Sequence, residues 1–431
     1  MKREEADILP LTGIMSGPGD DNPRIKAGYT FLGQFIDHDL TLDLTSLLEQ
    51  QVDPMATTKF RTPALELDSL YGRGPGAQPA LYDKDRFGRF LLNPEGNDLQ
   101  RNAQGTALIS EHRNDENRIV SQLHLLFLKF HNAVLDTLAV GADDQQKFED
   151  AQRLVRWHYQ WIVLNEFLPR TVGGDFMSEV LESTDPHHIG PAYMPVEFSG
   201  ATYRFGHSQI RPGYAINDTE GAPLFPANPA APPGNDLRGG RDFGGTLVVD
   251  WKHFFGEAPP AAGGAAVVQQ SKKIDTKLSG PLLNLPNSVV PPTDLARSLA
   301  ERNLKRGLRL RLPAGETIAD YLGIERVPEA VVWEELPANA GLTPLWFYIL
   351  KEAEVLHHGH HLGGVGAAVV AQTFANVVLA DKASYLNNVP NWTPDLAVGG
   401  KFTMADLANF TLGTSIPNET LDFGPAAPAR P

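Results

Sequence analysis

Histidine, arginine and carboxylate recur at four places in this chain, at spacings that place several of them on common helix faces. The first is FLGQFIDHDLTLD, residues 31–43, where Asp37, His38 and Asp39 stand in a row between apolar residues. If the stretch is helical, Gln34 and His38 are i and i+4 and share a face, while Asp37 and Asp39 project about 100° to either side of His38. An imidazole titrates near neutral pH and can move protons or bind metal. The plain alternative is a structural histidine between two solvated aspartates, since polar residues on a helix surface are common. The second place is EHRNDENRIVSQLHLLFLKFHN, residues 111–132, with Arg113 and Glu116 three apart ahead of a strongly apolar run. Its plain reading is an N-terminal charge cluster, with Asp115 and Glu116 favoured by the helix dipole. In ATYRFGHSQIRP, residues 201–212, His207 follows an aromatic run and Arg204 stands three residues before it. A lone histidine in that setting is commonly a satisfied core residue. The fourth is ERNLKRGLRLRLPAG, residues 301–315, where Asn303 and Arg306 are three apart on one helix face.

The elements that must position these groups are mostly helices. Apolar residues recur at helical spacing over 118–139, 147–168, 293–310, 344–356 and 362–381, and strand signals are few and short. Between the helices lie Pro/Gly-rich stretches, notably 217–245 and 256–266, which read as irregular loops or insertions. No internal repeat interrupts the pattern. The expectation is one large, mainly α-helical domain over 1–431 with long ordered loops and little β, ending in a flexible tail at 424–431.

Composition narrows the function. The chain has 431 residues, 42% hydrophobic and 21% charged, as globular proteins do. A net charge of −15 argues against nucleic acid and anionic membrane surfaces as partners. The longest apolar stretch, 362–381, is broken by Gln372, Thr373 and Asn376 and reads as a buried core helix rather than a membrane span. With no cysteine, disulfides, thiolate metal sites and cysteine nucleophiles are excluded. The opening MKREEADILP has no apolar signal-peptide segment, so the expectation is a cytoplasmic or non-classically secreted protein, or a sequence already trimmed. Nothing in the residues specifies an oligomeric state.

Together the four segments resemble the animal-type haem peroxidases of the peroxidase–cyclooxygenase superfamily. GQFIDHDL is similar to that family's distal helix. Arg113 and Glu116 stand as its R-x-x-E, with Arg113 eleven residues before His124 and His131–Asn132 closing the run. YRFGHS resembles the proximal-histidine motif, and RNLKRG followed by LP resembles the segment with the proximal asparagine. The order agrees, and the matching core runs from about residue 30 to 385. The short, cysteine-free form resembles a bacterial member.

The resemblance implies a haem b enzyme that reduces hydrogen peroxide and oxidises halides, thiocyanate or small aromatic donors, with a part in the response to oxidative stress. It implies His207 as the ligand of the haem iron, oriented by Asn303. His38 would act as general base and then acid on peroxide, Arg113 would stabilise developing negative charge, and Gln34 would line the halide and water site. Asp37 and Glu116 match carboxylates that form ester bonds to haem methyl groups. Asn117 stands where one relative has a sulfonium-forming methionine, so two esters at most are expected. Arg204 and Arg306 match residues near the haem propionates. The alternative on the same fold is a fatty-acid dioxygenase or cyclooxygenase-like enzyme. The cyclooxygenases place a tyrosine three residues before the proximal histidine; here that position is Arg204, with Tyr203 one off.

The loop RTPALELDSLYG, residues 61–72, presents oxygen at alternate positions: Thr62, Ala64 through its carbonyl, Glu66 and Asp68. Oxygen-only ligands suit calcium, and in the family such a loop acts together with the aspartate after the distal histidine, here Asp39. The pattern departs at Glu66, where aspartate is typical, and at Asp68, where serine is. The histidine-rich run 354–364 fits no helix face and reads as an inter-helix loop. His124, His131 and His158 sit in apolar helical patterns and read as core residues or as supports for the site.

Overall fold

Six helices carry the architecture around the site, in a computed structural model that describes residues 5–17, 19–41, 62–138, 143–184, 189–257, 268–294, 296–332 and 342–417. The expected tail at 424–431 and most of the 256–266 stretch lie outside the described residues. α1, Ala27–Leu40, holds the first motif. It is buried along most of its length, so its polar residues have to find partners inside the protein. α2, Arg118–Thr137, begins at Asn117, whose side chain accepts from Ile119 N and so replaces one of the helix's missing first-turn bonds. Phe35 of α1 stacks on Phe127 of α2 at 4.9 Å and 9°. Tyr159 of α3, Asp144–Ile162, meets both rings edge-on. Burying a ring of this size contributes about 1.5–3 kcal/mol, and this trio sets α1 against α2.

The expected single helix over 147–168 is instead α3 followed by a wide π turn, Val163–Phe167, and then helix to Val172. Single π turns often mark functional positions. Here the turn presents Glu166 to α1: Tyr29 Oη donates to Glu166 Oε1 at 2.6 Å, and Met404 N donates to Oε2 at 2.9 Å.

α4, Leu299–Arg309, is shorter at its start than the 293–310 expected. Ser298 caps it by accepting from Glu301 N, and serine at this position stops the helix from running back toward Pro292. α5, Leu345–His357, and α6, Gly364–Ala380, pack together. The Glu352 carboxylate of α5 accepts from Val365 N and Gly366 N at the start of α6, both at 3.0 Å. Gly364 has φ 45°, and a Cβ there would lie 2.1 Å from Glu352 Oε1, so only glycine fits. The histidine-rich run supplies the end of α5 and the turn that follows.

Among the described residues, sheet is confined to two ribbons. β1, Asp21–Lys26, leads directly into α1. β2, Gly213–Ala215, pairs antiparallel with β3, Gly221–Pro223, and β1 pairs antiparallel with β4, Gln270–Lys272. Thus the 217–245 stretch, expected to be wholly irregular, contributes a strand, and residues 238–240 pack on the turn that follows Arg113. No helix among the described residues is long and apolar enough to cross a membrane.

Candidate active site

A cavity of about 950 Å³ brings the four motifs together. Gln34, Asp37 and His38 of α1 line it, as do Arg113 and Glu116, Arg204 and His207, and Arg306 of α4. Asn303 stands behind His207. The volume is at the upper end of the ~300–1,000 Å³ typical of cofactor pockets.

His38 is buried. Its Nδ1 lies 2.8 Å from Asn114 Oδ1, so Nδ1–H donates and Nε2 keeps its lone pair. Burial, then the nearby Arg113 charge, hold the imidazole below its ordinary pKa. His207 ends a short 3₁₀ turn, Thr202–His207. Burial, with Arg204 and Arg306 nearby, pushes its pKa down to about 3, so the ring is neutral, the form that binds metal. Its Nδ1 lies 2.7 Å from Asn303 Nδ2. In that amide orientation Nδ1 accepts and the proton rests on Nε2. Turning the amide by 180° presents Oδ1 instead, which takes an Nδ1–H and frees Nε2 for a metal. Trp346 Nε1 donates to Arg204 O at 3.1 Å, tying this turn to α5.

Arg113 is more constrained than expected. Its Nε and Nη2 donate to the buried Glu111 carboxylate at 3.0 and 2.9 Å. Nη2 also donates to His38 O at 3.0 Å and to Thr41 O. The guanidinium thus caps the C-terminal end of α1, where a cation is favoured by the helix dipole, while still lining the cavity. Asp37 accepts from Thr41 Oγ1 at 3.1 Å. Glu116 is open to the cavity, and the surrounding protein raises its carboxyl above the ordinary range by desolvation.

The turn carrying Arg113 is held from behind by buried charge. Arg101 grips Asp115 with two bonds of 2.7 Å and also reaches Asp98. Asp98 in turn accepts from Arg118 Nη1 at 2.7 Å. Gly240 N donates to Asp115 O, and Gly239 N to Glu116 O. A Cβ at Gly239 would lie 1.8 Å from Asp115 O, so this close approach requires glycine. Glu111, Asn114, Asp98 and Arg101 were not among the expected site residues. The dense polar composition of 111–118 points to Glu111 and Asn114, and nothing in the sequence marks Asp98 or Arg101.

Asp39 turns away from the cavity and is fully buried. Its carboxylate accepts from Leu67 N at 3.1 Å, Ser69 N at 3.4 Å and Ser69 Oγ at 2.8 Å. Burial, then Asp68 nearby, push its pKa up to about 7. Of the other expected calcium ligands, Ala64 and Asp68 are in the same loop, Glu66 is half-buried with its carboxyl raised by desolvation, and Thr62 is exposed. Leu67 sits between Glu66 and Asp68 in the left-handed conformation, φ 55°. Serine stands one residue beyond the position where the family pattern expects it, and Ser69 engages Asp39. Among the described residues, the one set of three acidic or histidine ligand atoms within 4.8 Å of one another is elsewhere, at Asp218, Asp250 and His253. Lys252 Nζ already sits between its carboxylates, at 2.6 and 2.9 Å.

His131 bonds Tyr71 Oη and Gly88 O, and Asn132 pairs with the backbone of Phe90. These two residues tie the 71–90 segment to α2. Tyr203 lines the cavity as a buried phenol, held un-ionised by desolvation.

The profile of a family described as animal haem peroxidase matches residues 78–231. A peroxidase-like protein of Margaritifera margaritifera is 32% identical over 27% of this chain and 16% of its own length. Chorion peroxidase of Drosophila melanogaster is 33% identical over 31% of this chain and 18% of its own. For peroxinectin A of Dictyostelium discoideum the figures are 30%, 54% and 39%. The matched stretches therefore span well under half of each relative. Among solved structures, peroxidase A from Dictyostelium discoideum shares the fold with a TM-score of 0.63 at 16% identity, covering 97% of this chain and 91% of that one. A fatty acid alpha-dioxygenase of Arabidopsis thaliana follows at TM-score 0.59 and 14% identity, over 87% and 69%.

Proposed function

We propose that the chain is a member of the animal haem peroxidase family, whose profile matches residues 78–231, and that it is a haem-dependent peroxidase that reduces hydrogen peroxide and oxidises halides, thiocyanate or small aromatic donors. One observation carries the reading. Two histidines from separate elements line one cavity, each with Nδ1 engaged by an asparagine amide, which leaves Nε2 for chemistry: on His38 as it stands, and on His207 once the Asn303 amide presents Oδ1.

Haem b, when bound, supplies an iron that activates peroxide. The residues fit it: the cavity is of cofactor size, His207 is neutral and buried, and Arg204 and Arg306 offer cationic donors for two propionates. In the amide orientation that frees Nε2, Asn303 accepts from His207 Nδ1 and fixes the ring. An amide is a weaker acceptor than a carboxylate, so this ligand carries little imidazolate character. On the other histidine, Nε2 of His38 takes the peroxide proton and returns it to the leaving oxygen, which requires the neutral ring that burial favours. Arg113 holds positive charge beside that event, and its bonds to His38 O and Glu111 fix where the charge sits. Gln34 is available to order water or a halide in the same space.

Asp37 and Glu116 line the cavity as the positions for two esters. Forming each ester from the carboxylic acid and a haem methyl group would release two electrons and two protons, which one hydrogen peroxide would take up in becoming two waters. Acid–acetone extraction is expected to leave the haem on the chain; complete release would remove the ester assignment.

Calcium at Asp39 belongs to the same reading. A fully buried carboxylate beside Asp68, in an oxygen-rich loop, is a setting that a hard cation stabilises. Asp39 is adjacent to His38, so the ion would help hold α1. A calcium chelator is expected to lower the melting temperature and perturb the haem spectrum, both restored by added calcium. Unchanged melting with no calcium found in the purified protein would remove the site.

A second reading, fatty-acid dioxygenase, draws on the dioxygenase fold match and on Tyr203 lining the cavity. It is weaker, because the position three before His207 is Arg204. A steady-state screen separates the two: iodide, bromide, chloride, thiocyanate and phenols with peroxide, against fatty acids with oxygen. Donor oxidation with peroxide supports the peroxidase; oxygen uptake with a fatty acid and no peroxide-driven oxidation overturns it.

A further inference from the structure

A hydrogen-bonded line runs from the cavity into the core. His38 Nδ1 is 2.8 Å from Asn114 Oδ1, and Asn114 Nδ2 is 2.9 Å from His124 Nδ1. Asn114 and His124 are fully buried, and His38 is 5% exposed. We propose that Asn114, backed by His124, is the positioning device of the distal histidine: it fixes His38 in the tautomer with the proton on Nδ1, so that Nε2 is always the acceptor.

The Asn114 amide has an acceptor end and a donor end. With Oδ1 toward His38, only an Nδ1–H completes the bond. With Nδ2 toward His124, His124 Nδ1 has to carry a lone pair. Both contacts agree with one arrangement. Reversing it requires a half-turn of the amide and a change of tautomer in both rings at once. A doubly protonated His124 would also present Nδ1–H and force the amide around, and burial opposes that by pushing its pKa down to about 3.

The second observation is the cost the line carries. In this arrangement the His124 proton lies on Nε2, which is buried with no hydrogen-bond partner among the described residues. Such an atom costs about 1–3 kcal/mol. The ring packs edge-on to Phe35, 6.2 Å between centroids, where phenylalanine would pack without that cost. The use of the imidazole therefore lies in its other nitrogen, the one that receives the Asn114 amide.

The backbone supports the same role. Asn114 sits in the short turn His112–Asp115. The residue before it, Arg113, is pinned to the end of α1 and to Glu111, and the residue after it, Asp115, is gripped by Arg101. The amide is thus held at a fixed height against α1.

The inference rests on the reading of His38 as the residue that receives the peroxide proton. Its test does not need peroxide, so its failure is distinguishable from failure of that reading. In the full chain labelled with ¹⁵N-histidine, long-range ¹H–¹⁵N spectra separate protonated from bare ring nitrogens. The expected wild-type result is Nδ1–H and bare Nε2 on His38, with the opposite tautomer on His124. Asn114→Ala and His124→Phe should each turn His38 into a mixture of tautomers, although His124 makes no hydrogen bond to it. His124→Gln, which can still accept from Asn114, should restore the wild-type pattern. In the haem-loaded protein, peroxide reduction should fall roughly ten- to hundredfold in the first two variants and recover in His124→Gln. A proton on Nε2 of wild-type His38 overturns the proposal without any variant. So does an unchanged His38 pattern in a folded Asn114→Ala or His124→Phe protein.

Discussion

Replacing Asp98 with asparagine tests what holds the R-x-x-E turn in place. Asp98 is 3% exposed and is shared by two arginines: Arg118 at 2.7 Å and Arg101 at 3.2 Å. The Arg118 side chain has no exposure to solvent, and burial already depresses its pKa below the usual arginine value. Asp98→Asn leaves two guanidinium groups facing the single charge of Asp115. Removing one partner of a buried pair costs about 3–5 kcal/mol. Arg118 keeps three carbonyl acceptors, on Leu247, Asn97 and Thr246, so the expected cost is near the lower figure, about 3 kcal/mol. An exposed pair would cost under about 1 kcal/mol. The assay is urea unfolding at pH 7, followed by circular dichroism and tryptophan fluorescence, on Asp98→Asn, Arg118→Met and the double variant. The double variant should be more stable than the sum of the two single losses implies, because it removes the unpaired charge. A loss below 1 kcal/mol in Asp98→Asn, with additive singles, would refute the reasoning. Haem retention should weaken in Asp98→Asn, since Asp115, Asn114 and Arg113 share the supported turn.

Two further outcomes are expected. Gly239→Ala drives a Cβ into Asp115 O, 1.8 Å away. It should cost about 1–3 kcal/mol in urea unfolding and lower peroxide turnover by displacing Arg113, whereas Gly240→Ala, with nothing within 4 Å of its Cβ but φ +70°, should keep more turnover. Asp275 is pushed up to about 7 by burial, with Glu354 nearby as a like charge. The folded chain therefore binds more protons than the unfolded one between pH ~4 and ~7, and the contribution of this group to stability falls as pH rises through that window. Asp275→Asn, whose Oδ1 can still accept from Lys277 N, should be neutral at pH 4 and stabilising at pH 8, by at most about 4 kcal/mol at 1.36 kcal/mol per unit. Melting curves at the two pH values check this; equal effects at both would contradict the assignment.

Much of the site was legible because its chemistry is local in sequence. Helical spacing already separates Asp37, His38 and Asp39 into three directions, and the structure sends Asp37 and His38 to the cavity and Asp39 to the loop at 67–69. The fold class was legible from helical periodicity, which mistook a π turn at 163–167 for plain helix and began the 293–310 helix too early. What could not be read were contacts across the chain. Arg113 spends its donors on the end of α1, 72 to 75 residues away. Asn114 reaches a histidine 76 residues before it. Gly239 stands against Asp115 from inside a stretch that composition marks only as loop. No periodicity carries such pairs, because they depend on how α1, the turn and the 213–240 segment are brought together.

The central claim is that His207 and His38 divide the work between holding the iron and moving the proton. It is tested most directly by the absorption spectrum and the peroxide reaction rate of the haem-loaded wild type, His207→Ala and His38→Ala, measured side by side. The expected result is a histidine-ligated ferric haem spectrum in wild type. That spectrum should be lost or altered in His207→Ala. His38→Ala should keep it while reacting with peroxide about 10²–10⁴-fold more slowly. A His207→Ala protein with the wild-type spectrum, or a His38→Ala protein with the wild-type rate, would contradict the account.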